Sequence, residues 1–481
     1  MDILNSKNSR FGVWAALAVA LTGLTIFAYL GFYNRYWADD WCYNDDFKHI
    51  GILRSVGTYF ESGAAAHRGY PPNRYTFTVL SGVFYLPRVF GTQVLPTVTI
   101  LLWLGGLFWI GRNLNRYRRF TSDPVLLTAA AVLLFYTLYI STHRFQILYW
   151  RSGIFPYSWS ILSLIYLLGL VTSQLRREAT SKNVLFATAL LAFLGGGLSE
   201  IGVAFQLSTF TLLLVITWLA RRQSRAWAIK TFPVILTAWI FLCLAILAVG
   251  LSPSNTRYAD LNKEPNPLWV VPWLSLRYAF GFMLDSLRSL PLPHLMLSSL
   301  FLGLGLVCNS GEASKSARSI VQQILITLGL TLVLIAAVEA PTTYLYTAPP
   351  DPRGQSLARF TELAGLGITT WLLGSFVSSR LGKGAIWLAL ICLTVGSLYT
   401  ARATLSVSHE LPEFIKRAQI WDQRDADIEA AISQGQTRIE IQPIDTKDIN
   451  TRDIIRSEAF GKWVTDACGV TYYDAEALRV P

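Results

Sequence analysis

Near the N-terminus, residues 11–33 form the apolar run FGVWAALAVALTGLTIFAYLGFY, and Trp37-Ala38-Asp39-Asp40-Trp41 follows it closely. As a helix, an apolar run of this length crosses about 30 Å of hydrocarbon. It lacks the small-residue cleavage site of a secretory signal peptide, so we predict an uncleaved membrane anchor. The carboxylates that follow it therefore lie at a membrane surface.

Similar apolar runs recur along the 481 residues, and a chain with 52% hydrophobic and 15% charged residues does not fit a soluble single-core domain. We predict an all-α polytopic membrane protein with about eleven transmembrane helices. The predicted spans are 11–33, 93–111, 124–141, 156–174, 183–199, 201–220, 231–251, 291–308, 319–340, 356–379 and 384–404.

The distribution of basic residues predicts the orientation of these spans. The linkers 1–10, 112–123, 175–182, 221–230, 309–318 and 380–383 hold 17 Lys and Arg in 54 residues, whereas 34–92, 142–155, 252–290 and 341–355 hold 13 in 127. By the positive-inside rule the first set is cytoplasmic. We expect a multi-pass protein of the plasma membrane, with the N-terminus inside and the C-terminus outside. The net charge of +11 is thus a topology signal, and we expect no nucleic-acid partner.

Two further apolar stretches, 74–89 and 268–290, must then lie outside as interfacial helices. The predicted domains are a transmembrane domain at 1–404, whose first outer loop is 34–92, and a small α/β extracytoplasmic segment at 405–481. Three of the five cysteines lie in spans. Cys42 and Cys468 face outward, where an oxidising compartment would permit a disulfide that ties the C-terminal segment over the acidic stretch.

Acidic residues outside the membrane are the candidates for catalysis. Asp39 and Asp40 are either solvated loop charges or a site for a proton, a metal or a cationic transition state. Glu200 follows a Gly195-Gly196-Gly197 turn at the outer end of a span, where it is either functional or paired with an arginine. Asp45 and Asp46 are better explained as solvated charges at a helix start.

Aromatic and basic residues around these acids suit a sugar phosphate, because rings stack on sugar faces and guanidinium groups bind phosphate oxygens. Arg353, in a proline-rich outer loop, is the best phosphate candidate, while Arg359 and Glu362 are expected to neutralise each other. The candidate binding residues are Trp41, His67, Arg68, Tyr70, Asn73, Arg74, Trp150, Arg151, Tyr157 and Arg353.

Several motifs together resemble the GT-C superfamily of polytopic glycosyltransferases, closest to bacterial GT-C-like families without an assigned function. They are Asp39-Asp40 after the first span, the Tyr70-Pro71-Pro72 step, the stretch from Trp150 to Tyr157, the glycine turn ending in Glu200, and Trp421-Asp422-Gln423-Arg424. The resemblance implies transfer of a sugar from a polyprenyl-phosphate donor to a glycan, lipid or protein acceptor on the outer face. It also implies that Asp39 or Asp40 is the general base.

The chain departs from that family in one respect, because no Asp or Glu occurs between Ser141 and Phe155. A divalent metal is therefore possible but not favoured, and Glu200 is left as the second carboxylate. The alternative functions are a transporter or flippase for lipid-linked glycans, or an O-antigen-type polymerase or ligase.

Overall fold

A computed structural model describes residues 7–61, 74–177, 179–254, 265–308, 316–382, 384–441 and 468–479. Long apolar helices dominate this part of the chain, so the protein is an all-α polytopic membrane protein, as predicted. The helices of the membrane domain are α1 (Lys7–Gly31), α2 (Asp40–His49), α3 (Ile52–Glu61), α4 (Tyr75–Tyr85), α5 (Val89–Arg118), α6 (Asp123–Tyr139), α7 (Arg144–Leu148), α8 (Arg151–Arg176), α9 (Lys182–Gly196), α10 (Glu200–Arg222), α11 (Ala226–Gly250), α12 (Val271–Ser289), α13 (Pro291–Val307), α14 (Ala317–Tyr346), α15 (Gln355–Leu381) and α16 (Gly384–Ser408).

A helix lies over each of the predicted spans. Among the described residues, eight helices are long and apolar enough to cross a membrane, and a ninth span results if the bent pair α12 and α13 is counted as one. Helices α6 and α9 are apolar but shorter. The membrane character is thus shown, while the count of eleven and the orientation remain predictions.

The two stretches predicted to be interfacial both form helices that end at a break. Helix α4 is separated from α5 by residues 86–88, and Arg88 has a left-handed φ of 52°. Helix α12 meets α13 at a bend of 92°. If α13 alone crosses the membrane, as predicted, this bend places α12 in the membrane plane.

The C-terminal segment begins with helix α17 (Leu411–Ser433). It is followed by strand β1 (Arg438–Glu440), helix α18 (Gly469–Tyr472) and strand β2 (Ala477–Arg479). The two strands pair in parallel, with Ile439 opposite Leu478. A disulfide joins Cys42 of α2 to Cys468, with their Cα atoms 4.8 Å apart, so the structure contains the bond that the sequence permits but does not establish.

Helix α17 packs against the segments that surround α2. The Arg35 guanidinium donates two hydrogen bonds to Asp422, of 2.5 and 2.6 Å. Arg144 makes a similar pair with Glu410. The indole of Trp421 stacks on Trp41 with ring centroids 5.7 Å apart. These contacts hold the C-terminal segment against the start of α2.

Candidate functional site

The start of α2 carries both candidate bases. Asp39 occupies the N-cap position without a capping hydrogen bond from its side chain, and Asp40 is the first residue of the helix. Ala38, directly before them, has a left-handed φ of 45°, which is uncommon for a residue with a Cβ. Such strain persists only where surrounding contacts impose it, and it concentrates at functional sites.

Asp40 is fully buried, and its carboxylate is held on both oxygens. Oδ1 accepts hydrogen bonds from the Ser152 hydroxyl (2.7 Å) and backbone N–H (3.2 Å), while Oδ2 accepts one from the Trp37 N–H (3.2 Å). Arg151 Nε lies 3.6 Å from Oδ1. Burial raises the pKa of Asp40, and Arg151 and these hydrogen bonds act in the opposite direction. The geometry suits a positioning role.

Asp39 lies in a different setting. Its side chain is partly exposed, and it accepts no hydrogen bond from the described residues. Burial and the neighbouring charge of Asp40 raise the pKa of Asp39 to about 6, against the opposing effect of the Arg353 and Arg74 guanidinium groups. A carboxylate with such a pKa and unbound oxygens can accept a proton near neutral pH.

The glycine turn before Glu200 positions Arg74, which also acts electrostatically on Asp39. A Cβ on Gly197 would collide with the Tyr75 ring, so only glycine allows α4 to approach this closely. The Gly197 carbonyl accepts a hydrogen bond from the Thr76 N–H (3.1 Å). Arg74 then donates from Nε (3.0 Å) and Nη2 (2.7 Å) to Glu200 Oε2. Of the two explanations for Glu200, the ion pair is what the structure contains, and both side chains remain partly exposed.

Arg353 acts electrostatically on Asp39. Its guanidinium carbon is 5.2 Å from the centroid of the Trp150 ring, and Nη2 donates to Asp351 at 3.2 Å. The Trp150 indole N–H donates to the Trp37 carbonyl (3.1 Å), two residues before Asp39. Trp150 is therefore a buried support for Arg353 and for the Asp39 turn.

Tyr157 completes the group. It belongs to a π-helical stretch, Ile154–Trp159, near the N-terminal end of α8, and such stretches are frequent at functional sites. It interacts electrostatically with Arg353, Arg74 and Glu200. Five predicted site residues from five separate parts of the sequence thus share one electrostatic neighbourhood: Asp39, Arg74, Tyr157, Glu200 and Arg353.

Two of the predicted binding residues are placed differently. Trp41 is buried between Trp421 and the C-terminal tyrosines, so we correct its expected sugar-stacking role to one of packing. Arg151 is fully buried, and its Nη2 donates to Asn44 Oδ1 (2.6 Å). Its guanidinium supports Asp40 and is not open to a phosphate.

Asp45 also differs from the prediction, because it is not a solvated charge. It is buried and accepts a hydrogen bond from the Thr471 hydroxyl at 2.8 Å. Asp46 accepts one from the Tyr59 hydroxyl. The second pair of carboxylates therefore fastens α2 to α3 and to the C-terminal segment.

Four of the predicted binding residues lie outside the described residues: His67, Arg68, Tyr70 and Asn73. The Tyr70-Pro71-Pro72 step lies there as well. For these four positions the expected binding roles remain predictions.

Arg359 and Glu362 form the expected neutral pair, with Nη1 and Oε2 2.7 Å apart. Ser286 of α12 joins them and donates to Glu362 Oε2 at 2.8 Å. His294 of α13 lies 3.0 Å from the Ser286 hydroxyl. This buried network fastens the bend between α12 and α13 to the beginning of α15.

Two further polar residues in the structure are not among the predicted site residues. Ser152 supplies two of the hydrogen bonds to Asp40, which no motif indicated. Glu339 of α14 is fully buried, and neither carboxylate oxygen has a hydrogen-bond partner among the described residues. A single acid in an apolar span was the signal that could have identified Glu339.

Within the described ranges, no group of three or more His, Cys, Asp and Glu side chains is arranged to hold a metal ion. Comparisons of the chain with protein-family models, with curated proteins and with solved structures found no match.

Proposed function

We propose that this protein is a membrane glycosyltransferase that moves a sugar from a polyprenyl-phosphate donor to a glycan, lipid or protein acceptor on the outer face of the plasma membrane. The observation that carries the proposal is the setting of Asp39. Its carboxylate is not bound by the described side chains, has a pKa of about 6, and lies in the electrostatic field of Arg74 and Arg353.

Asp39 acts as the general base. The acceptor hydroxyl gives its proton to the Asp39 carboxylate while its oxygen forms a bond to the anomeric carbon. The bond between that carbon and the phosphate oxygen breaks, and the electron pair leaves with the polyprenyl phosphate. Attack opposite to the leaving group inverts the configuration at the anomeric carbon.

Arg353 and Arg74 neutralise the phosphate as it leaves. Arg353 is held over the Trp150 ring, which fixes the direction of its planar donors. Arg74 is oriented by Glu200, which accepts two of its hydrogen bonds on one oxygen. Charges held in place before the reaction stabilise a developing anion without reorganisation.

A second candidate function, a transporter for lipid-linked glycans, is favoured by Glu339. Neither carboxylate oxygen of Glu339 has a hydrogen-bond partner among the described residues, and an unpaired acid inside a span is costly and often belongs to an ion or substrate pathway. Glu339 lies in the last turns of α14. For a transporter, Glu339→Gln should abolish activity and Asp39→Asn should not.

The test uses a deletion strain of the source organism, complemented with the wild-type gene or with one of these variants. We expect the uncomplemented deletion strain and the strain with Asp39→Asn to lack one envelope sugar and to accumulate its polyprenyl-phosphate form on the outer face. Accumulation on the cytoplasmic face, rescued by Asp39→Asn but not by Glu339→Gln, would instead support the transporter.

A further inference from the structure

We infer that helix α12, Val271–Ser289, is a docking surface for anionic phospholipids of the outer leaflet, with Arg277 and Arg288 as the residues that bind their phosphate groups. This inference depends on the membrane character of the chain and on its predicted orientation, and not on the proposed reaction.

One face of α12 is apolar and exposed. At 3.6 residues per turn, four side chains fall within an arc of about 60°: Trp273, Leu276, Phe280 and Leu287. All four are exposed, with Trp273 at 70%, and Trp269 just before the helix is 82% exposed. Tryptophans on a narrow apolar face are typical of a helix that lies at the boundary of headgroups and acyl chains.

The opposite face of α12 is fixed to the membrane domain at two points. The Tyr278 hydroxyl donates to the Thr347 carbonyl (2.8 Å), at the end of α14. Two turns later, the Ser286 hydroxyl donates to Glu362 near the start of α15. Helix α12 therefore lies across the ends of two neighbouring helices, and it makes an angle of 92° with α13. If α13 crosses the bilayer, α12 lies parallel to its surface.

Two cations flank the apolar face. Arg277 and Arg288 lie about 40° and 60° from Trp273 around the helix axis, on the same side. Both are exposed, and neither has an ion pair or hydrogen bond within the described part of the chain. Asp285 is three residues from Arg288 but lies further around, at about 120° from Trp273, and no ion pair joins the two. Guanidinium groups beside a membrane-inserted stripe fit lipid phosphates, and this charge favours anionic lipids.

The first experiment uses full-length protein in nanodiscs of equal parts phosphatidylcholine and phosphatidylglycerol. Native mass spectrometry measures the enrichment of phosphatidylglycerol among lipids retained by the protein. We expect each of Arg277→Gln and Arg288→Gln to reduce the enrichment at its site by about fivefold. Arg438→Gln, on a C-terminal strand, is the matched control and should leave the enrichment unchanged. Equal enrichment in wild type and Arg277→Gln/Arg288→Gln would overturn the inference.

The second experiment locates the apolar face. Wild-type protein and Trp269→Phe/Trp273→Phe are each exposed to brominated phospholipids and to aqueous iodide. The difference between their fluorescence intensities reports the quenching of Trp269 and Trp273. Quenching by the lipids is expected. Quenching by iodide alone, or crosslinking of residue 273 to a second copy of the chain, would show that this face meets water or protein instead of lipid.

Discussion

Asp39 and Asp40 are neighbours in sequence, yet their carboxylates lie in opposite settings. Asp40 is fully buried and held by Ser152, Trp37 and Arg151, whereas Asp39 accepts no hydrogen bond from the described residues. Asp40 therefore orients the turn, whereas Asp39 is available to a substrate.

Substitution of Asp39 and substitution of Asp40 should therefore have different consequences. Asp39→Asn is expected to lower the rate of sugar transfer by about 10²–10⁴-fold, the usual contribution of a general base, while leaving the melting temperature unchanged. Asp40→Ala removes the partner of buried Arg151 and should destabilise the fold by about 3–5 kcal/mol. Thermal melting in detergent, with Asp427→Asn as the exposed control, distinguishes them. Equal melting of Asp40→Ala and wild type would refute the positioning role.

The pH dependence of transfer follows from the pKa of Asp39. A base must be ionised, so kcat/KM should fall as the pH drops through about 6. Arg353 lowers this pKa, and its removal should raise it. In Arg353→Gln the acid limb of the pH profile is therefore expected at higher pH than in the wild type. A limb that stays in place would show that another group titrates.

The glycine turn is expected to tolerate no side chain at its third position. Gly197→Ala forces a Cβ into the Tyr75 ring, and should cost about 1–3 kcal/mol while separating Arg74 from Glu200. Gly329→Ala is the control, because open space surrounds this helical residue and alanine there should stabilise by about 0.5–1 kcal/mol. Thermal melting measures both. Similar melting of Gly197→Ala and wild type would mean that α4 does not depend on this contact.

The disulfide should stabilise the protein. Cys42 and Cys468 are 426 residues apart, and loss of the crosslink in Cys42→Ser/Cys468→Ser is expected to cost about 2–4 kcal/mol, with Cys243→Ser as the control. A thiol count on denatured, unreduced protein should give the three free cysteines, Cys243, Cys308 and Cys392. A count of five would exclude the crosslink.

Glu339 should be replaceable with a gain in stability. Since neither carboxylate oxygen is hydrogen-bonded by the described residues, Glu339→Leu is expected to raise the free energy of unfolding by about 1–3 kcal/mol. Glu200→Leu, which breaks the pair with Arg74, should not be stabilising. A lower melting temperature for Glu339→Leu would reveal a partner of the carboxyl group.

Much of the fold could be predicted because its signals are local. Each span is a continuous apolar run, and the residues that end a run, such as the glycines before Glu200, lie next to it in sequence. The sequence identifies Cys42 and Cys468 as the candidate pair, because only these two cysteines lie outside the apolar runs, but it does not decide whether they are bonded.

The roles within the site could not be predicted in the same way, since distant residues decide them. Asp40 is distinguished from Asp39 by Ser152, which lies 112 residues away, and Trp41 is covered by Trp421. Asp45 has the sequence context of a surface charge, but Thr471, 426 residues away in the chain, donates a hydrogen bond to it. Burial and hydrogen bonding between remote segments leave no pattern in a single sequence.

The most direct test of Asp39 as the base of a glycosyltransferase is transfer of labelled sugar from the polyprenyl-phosphate fraction into acceptor. It is measured in membranes that contain equal amounts of wild-type protein, Asp39→Asn or Asp427→Asn. We predict that wild type and Asp427→Asn transfer the label, while Asp39→Asn leaves it on the lipid. Equal transfer by Asp39→Asn and wild type would contradict the assignment of Asp39 as the base.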